Sequence, residues 1–344
     1  MSAPDAPRVL VVRNDKLGDF LLAWPALAIL RASLPAATLD VLVPEYTRSI
    51  AELCPSVDGV VLDPGPEAGA TALLERLRAG RYDALLTLFS STRVGFAGWR
   101  AGIPTRIAPA TKLAQVFYNE RVVQRRSRSL KPEFEYNADL ARDYVRGLGA
   151  EVREVSGPYL GFDRDLVARL EAEFRARLEI PAEHVLVFLH PGSGGSANNL
   201  SLEQYATLAR GLSSERGHTL IISAGPGEQA IAHDLHASLA DISARVYESS
   251  AGLACFAQHL AFADLFVAGS TGTLHLAGAL DCPTGAFYPR RRSSTPLRWQ
   301  TLNSDGRRLA WSPPEGVGER DMSSIDVASA ARELSERFLA SGRS

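Results

Sequence analysis

Arg8-Val9-Leu10-Val11-Val12-Arg13, followed at once by the polar Asn14-Asp15-Lys16-Leu17-Gly18, decides how the rest of the chain is read. A short run that is apolar throughout, instead of alternating, is expected of a strand buried on both faces, as in a parallel sheet. A helical stretch from Asp19 to about Arg31 comes next, with Pro25 expected to kink it. Outward from there, Leu39–Val43, Gly59–Leu62, Tyr82–Phe89 and Arg106–Ala108 read as further strands, with helices such as Ala70–Ala79 and Arg93–Arg100 between them. Strand and helix in alternation indicate a parallel sheet covered by helices. A second run, Val185–His190 (VLVFLH), opens the same pattern again. Strands are expected at Thr219–Ser223, Val246–Glu248, Leu265–Ala268 and Gly285–Tyr288, with helices at Leu202–Glu215, Glu228–Ala240, Leu253–Phe262 and Thr273–Leu280. The Gly/Pro segment Ser156–Phe162 suits a linker. The fold class expected is therefore α/β, two Rossmann-like doubly wound domains over residues 1–156 and 157–322. A helix at Ile325–Leu339, within residues 323–344, could pack on either domain. Ligands of such folds bind at the carboxyl ends of the strands, which here would face a central cleft.

Length and composition agree. The 344 residues suit two domains of ordinary size, and 46% apolar with 22% charged residues is near the globular average. Thirty-seven basic residues against 39 acidic ones give a net charge of −2, which offers no general field for nucleic acid. Cys54, Cys255 and Cys282 match no metal or CxxC spacing, and the seven histidines show no HExxH pattern. The opening Met1-Ser2-Ala3-Pro4-Asp5 lacks a signal-peptide pattern and no apolar run is long enough for a transmembrane segment, so a cytoplasmic chain is the expectation. No lysine follows Lys131.

Three loops after strands have compositions suited to chemistry. Asp19, at the start of the first helix, is either an N-capping residue or an ionised acceptor for the proton of a bound hydroxyl. In His190-Pro191-Gly192-Ser193-Gly194-Gly195-Ser196-Ala197 the glycines fit G-x-G-x-x-G/A loosely. Ser201 with Gln204, however, reads as a capping box that starts the helix several residues later, unlike a dinucleotide site. The loop is either a connector or a place where a ligand meets backbone closely, with Ser193 and Ser196 as hydroxyl donors. Gly269-Ser270-Thr271-Gly272-Thr273-Leu274-His275 leaves small residues and two threonine hydroxyls at a helix N-terminus, a means of holding a diphosphate. Glu228 stands at another strand end, as a ribose acceptor or a partner of the helix dipole. Asp163-Arg164-Asp165 is read as a helix cap rather than a metal pair.

In order, these segments resemble glycosyltransferase family 9, the heptosyltransferases of lipopolysaccharide core assembly. The resemblance lies in Arg13-Asn14-Asp15-Lys16-Leu17-Gly18-Asp19 with Leu22, Pro25, Ala26 and Leu27. It continues in Asp264–Val267 with Ser270–Ala277, Pro283-Thr284 and Phe287, and in Glu133, Glu135 and Asn137 at a helix start. It implies the GT-B fold and inverting, metal-independent transfer of a sugar from a nucleotide donor, expected to be ADP-linked. The implied acceptor is a lipid-linked saccharide at the inner membrane face. By analogy Asp19 is the general base. Ser270, Thr271, Gly272 and Thr273 would hold the donor diphosphate, Ser193, Gly194, Gly195 and Asn198 would form the donor loop, and Glu228 would bind the ribose. Lys16, Arg125, Arg126 and Arg290 are possible acceptor or phosphate contacts. Two positions depart from the family pattern: its donor-loop lysine corresponds to the Asn198-Asn199-Leu200-Ser201 segment, and an aspartate of the donor signature is Ser270. A nucleotide-sugar epimerase and an inactive nucleotide-sugar-binding protein are the competing readings, with a dehydrogenase behind them. The basic run Asn119–Lys131 suits either an anionic acceptor or plain solvation.

Overall fold

A computed structural model describes residues 6–111, 113–194, 198–213 and 217–340. The chain divides into two compact units, Met1–Tyr159 and Leu160–Ser344. In the first unit the strands are β1 (Arg8–Val12), β2 (Thr38–Val43), β3 (Gly59–Leu62), β4 (Ala84–Thr87), β5 (Thr105–Pro109) and β6 (Glu120–Val122). The helices are α1 (Leu17–Leu21), α2 (Trp24–Ser33), α3 (Arg48–Ala51), α4 (Gly69–Gly80), α5 (Thr92–Arg100) and α6 (Glu133–Gly147). The strands form one parallel sheet in the order β3-β2-β1-β4-β5-β6. After the exposed Arg8, the central β1 is apolar because neighbouring strands and helices cover it; Val9–Val12 are at most 1% exposed.

The first helical stretch is two helices, not one kinked helix. Pro25 sits in the first turn of α2, where its missing N–H needs no partner, so it starts a helix here. The short α1 closes with Leu22 N–H donating to Gly18 and Ala23 N–H to Phe20. α2 then packs along α6.

The second unit contains α7 (Arg164–Leu178), β7 (Val185–His190), α8 (Leu202–Leu212), β8 (His218–Ala224), α9 (Gln229–Ala237) and β9 (Ala244–Glu248). It continues with α10 (Leu253–Leu260), β10 (Leu265–Gly269), α11 (Gly272–Ala279), β11 (Thr284–Phe287), β12 (Arg308–Trp311) and α12 (Val327–Leu334). Its sheet is again parallel, in the order β12-β11-β10-β7-β8-β9. From its central strand outward this repeats the order of the first unit, the doubly wound Rossmann-like arrangement in both. Asp163 caps α7 by accepting from Leu166 N–H, and the capping box of Ser201 and Gln204 is present at the start of α8. α12 contributes Val327, Ala330, Ala331 and Leu334 to the core that α8 also lines, so the last helix packs within the second unit.

Candidate active site

In the first unit the site is built around Arg13, which the end of β1 carries into the interior with 3% exposure. A buried guanidinium needs acceptors for every N–H, and this one has four. Its Nε donates to Asp15 at 3.0 Å, Nη2 to Asp19, and Nη1 to Glu133 at 3.1 Å and Asn137 at 3.3 Å. Burial alone would lower the Arg13 pKa, but the carboxylates of Asp15, Asp19 and Glu133 outweigh it and hold the cation above its usual value. Glu133 also accepts from Arg126 Nη1 at 2.6 Å. Asn137 in turn donates to the carbonyl of Leu22 at 2.9 Å, so the first turns of α6 fix the end of α1.

Asp19 lies in the first turn of α1, where Lys16 is the cap position. Its carboxylate therefore caps nothing and pairs with Arg13 instead. Burial raises the Asp19 pKa to about 6, against the lowering effect of Arg13, with Asp15 and Glu133 adding to the rise. The side chain keeps 14% exposure, so it is not sealed from solvent. A carboxylate held near pKa 6 and not sealed from solvent is able to accept a proton from a bound hydroxyl. Around it, Tyr46 OH donates to the Asp15 carbonyl at 2.8 Å, and Asn14 and Arg93 both bond Asp63.

In the second unit one carboxylate ties together the loops after β7 and β8, and one amide packs against the end of β10. Glu228 accepts from Gly194 N–H at 2.9 Å and from Gly225 N–H at 3.0 Å, and its Oε2 lies 3.5 Å from His190 Nε2. Gly192 is required beside it: a Cβ there would lie 2.2 Å from the Glu228 carboxyl carbon. His190, at the end of β7, meets Ser223 through Nδ1 and is kept neutral by burial. Asn199 donates to the Pro191 carbonyl at 2.7 Å and accepts from Tyr205 OH at 2.7 Å. A Cβ on Gly269 would come within 2.5 Å of its Oδ1. The end of β10 thus packs directly on Asn199, just after the glycine-rich loop.

Thr271 caps α11, its Oγ1 accepting from Leu274 N–H at 3.3 Å and lying 2.9 Å from Thr273 Oγ1. The N–H groups of Gly272 and Thr273 have no acceptor within their own helix and point from a positive helix end, an arrangement that attracts phosphate oxygens. Behind them His275 is buried and driven down to about 4, so it is a neutral packing residue.

The remaining expected residues are placed as follows. Lys16 and Arg125 are exposed, Arg126 is engaged with Glu133 and Gln124, and Arg290 donates to the Val317 carbonyl at 3.1 Å. Ser193, Ser270 and the exposed Asn198 lie on the loops described, while Gly195, Ser196 and Ala197 fall outside the described residues. Sequence reasoning did not single out Arg13, His190 or Asn199 as site residues. A charged residue ending an apolar strand was the available signal for the first. Among the described residues no group of three or more His, Cys, Asp or Glu is arranged to hold a metal ion.

Comparison with known proteins gives the family and the fold. The model of glycosyltransferase family 9 (heptosyltransferase) matches residues 70–312. A Haemophilus influenzae protein that carries a provisional glycosyltransferase name is 43% identical over 331 residues, covering 95% of this chain and 96% of its own. Lipooligosaccharide heptosyltransferase 2 of Haemophilus ducreyi is 24% identical, covering 84% of this chain and 85% of its own. Among solved structures, a family 9 glycosyl transferase of Veillonella parvula superposes with a TM-score of 0.80 at 17% identity, covering 98% of this chain and 100% of its own. The ADP-heptose lipopolysaccharide heptosyltransferase II of Escherichia coli superposes with 0.77 at 21% identity, covering 97% and 99%.

Proposed function

The chain belongs to glycosyltransferase family 9, and from that premise we propose an inverting, metal-independent transferase that moves a sugar from an ADP-linked donor to a lipopolysaccharide-core-type acceptor. The observation that carries this reading is Asp19: buried enough to be held near pKa 6, bonded to Arg13, and still open to solvent. In the proposed reaction its carboxylate takes the proton of the acceptor hydroxyl as that oxygen attacks the anomeric carbon. The bond from sugar to diphosphate breaks, and the electron pair leaves on the nucleoside diphosphate. The charge that develops there is met by the N–H groups of Gly272 and Thr273 and the hydroxyls of Thr271 and Thr273, with Ser270 beside them. Glu228, whose two oxygens each take one backbone bond, has lone pairs left for a ribose diol. Lys16, Arg125 and Arg290 are the proposed contacts to acceptor or donor phosphates.

The proposed acceptor is lipid-linked, which would place the chain in the cytoplasm against the inner membrane face. No helix of the described residues is long and apolar enough to cross a membrane. The test is incubation with ADP- and UDP-sugars, with and without a lipopolysaccharide-type acceptor, followed by mass spectrometry. Product that needs the acceptor and survives chelator is expected. Donor conversion without acceptor would instead make the chain an epimerase.

A further inference from the structure

We propose that the first unit docks on an anionic lipid surface through α5, the 113–117 turn and the loop after β6. This deepens the reading of a lipid-linked acceptor and rests on it, but it stands on separate observations. Nine large apolar side chains are exposed among the described residues, and six of them fall between residues 96 and 130. These are Phe96 and Trp99 (39% and 50% exposed), Leu113 and Val116 (86% and 69%), and Val123 and Leu130 (80% and 70%).

The packing of α5 explains why its aromatics face outward. Its inner face is small: a Cβ on Gly98 would lie 2.5 Å from Leu85 Cδ2, and one on Gly95 would lie 2.8 Å from the Tyr118 ring. With Gly98 against β4 and Gly95 against Tyr118, Phe96 and Trp99 are left on the outer face, 5.9 Å apart, and both meet Phe117 of the 113–117 turn, at 5.5 and 6.3 Å. Val116 and Leu113 are carried by that same turn. Ala110 N–H donates to the Val122 carbonyl, so the chain entering the turn lies beside Val123. Three residues reach no further than about 11 Å, so Leu113 is close to this point. Phe96 and Trp99 thus share one surface with the 113–117 turn, the chain beside Val123 enters that turn, and Leu130 follows on the loop after β6; a protein surface rarely exposes such a set without a partner.

Charge decides which partner. Residues 96–131 contain eight basic side chains and one acid, Glu120, in a protein whose net charge is −2. Arg126 and Lys131 are paired with Glu133 and Asp139. Arg100, Arg121, Arg125 and Arg128 are exposed and make no ion pair among the described residues. Apolar side chains that insert to headgroup depth, beside cations that meet anionic headgroups, are the two signals stable peripheral membrane binding requires.

The test is cosedimentation with phosphatidylglycerol or phosphatidylcholine vesicles, without nucleotide sugar or acceptor. The wild-type chain is expected to bind phosphatidylglycerol vesicles and to be released by salt, with at least roughly tenfold weaker binding to phosphatidylcholine. Leu113→Ser with Val116→Ser, at exposed positions that cannot unfold the core, is expected to weaken binding roughly tenfold. Arg121→Glu with Arg128→Glu should weaken it further at low salt, and Leu297→Ser in the second unit should leave it unchanged. Equal binding by the serine variant, equal binding to both lipids, or a wild-type dimer that the serine variant dissolves would overturn the proposal. Because the vesicle assay contains no substrate, its failure is separate from failure of the transferase reading, which is read with a soluble acceptor.

Discussion

Asp19 and Arg13 form a pair in which the acid is not neutralised outright. The cation is divided among Asp15, Asp19, Glu133 and Asn137, so burial wins and the Asp19 pKa settles at about 6. In the proposed role of base it works only when deprotonated, so kcat/KM should fall with unit slope as pH drops through about 6, which a pH–rate profile will show. The charge of Glu133 contributes to the rise. Glu133→Gln keeps an acceptor for Arg13 while removing that charge, and should therefore move the acid limb to lower pH. The same shift bears on stability. Between its ordinary value of 3.8 and about 6 the folded chain binds the Asp19 proton more tightly than the unfolded chain, so this residue lowers stability as pH rises through that window. Asp19→Asn should accordingly raise stability by about 1–3 kcal/mol at neutral pH and by nothing below pH about 4, measured by denaturant unfolding. At this scale Asp19 was legible as a candidate through its motif. The role of Arg13 was hidden because its partners Glu133 and Asn137 are more than a hundred residues away in the chain.

Among the elements, the central strands were legible, as was the edge strand β3 at Gly59–Leu62, whereas β6 and β12 were not. β7, bounded as expected at Val185–His190, is a continuous apolar run. β6 has three residues, Glu120 and Arg121 among them exposed, and β12 has four, so neither is long or apolar enough to show a period. The capping box at Ser201 was readable because both its partners lie within one turn. Asn199, which joins the Pro191 carbonyl to Tyr205, was not, since its contacts depend on the packed loop. The loop also predicts its own sensitivity. Gly192→Ala would push a methyl group into the Glu228 carboxylate and break its bonds to Gly194 and Gly225. Donor KM should rise roughly tenfold or more, with a smaller change in kcat. Thr271→Val removes the cap of α11, which should lower stability by about 1 kcal/mol and weaken ADP binding measured by calorimetry.

Across the molecule, the same strand order occurs in both units, and the candidate groups follow the carboxyl ends of strands in each. Arg13 follows β1, His190 ends β7, Glu228 follows β8 and Thr271 follows β10. This placement was legible because a parallel doubly wound sheet leaves its ligand sites at that edge whatever the sequence of the loops. What those loops select was less legible: the Asn198–Ser201 segment and Ser270 are neutral and identify no particular sugar or base. Specificity rests on such contacts and not on the sheet.

The division of labour between a base in one unit and donor contacts in the other is the central claim, and Asp19→Asn tests it most directly. Calorimetric affinity for ADP should stay within about twofold of wild type, while turnover to the acceptor product should fall by roughly 10²–10⁴. Near-normal turnover by a folded Asp19→Asn chain, or loss of ADP binding together with turnover, would contradict the account.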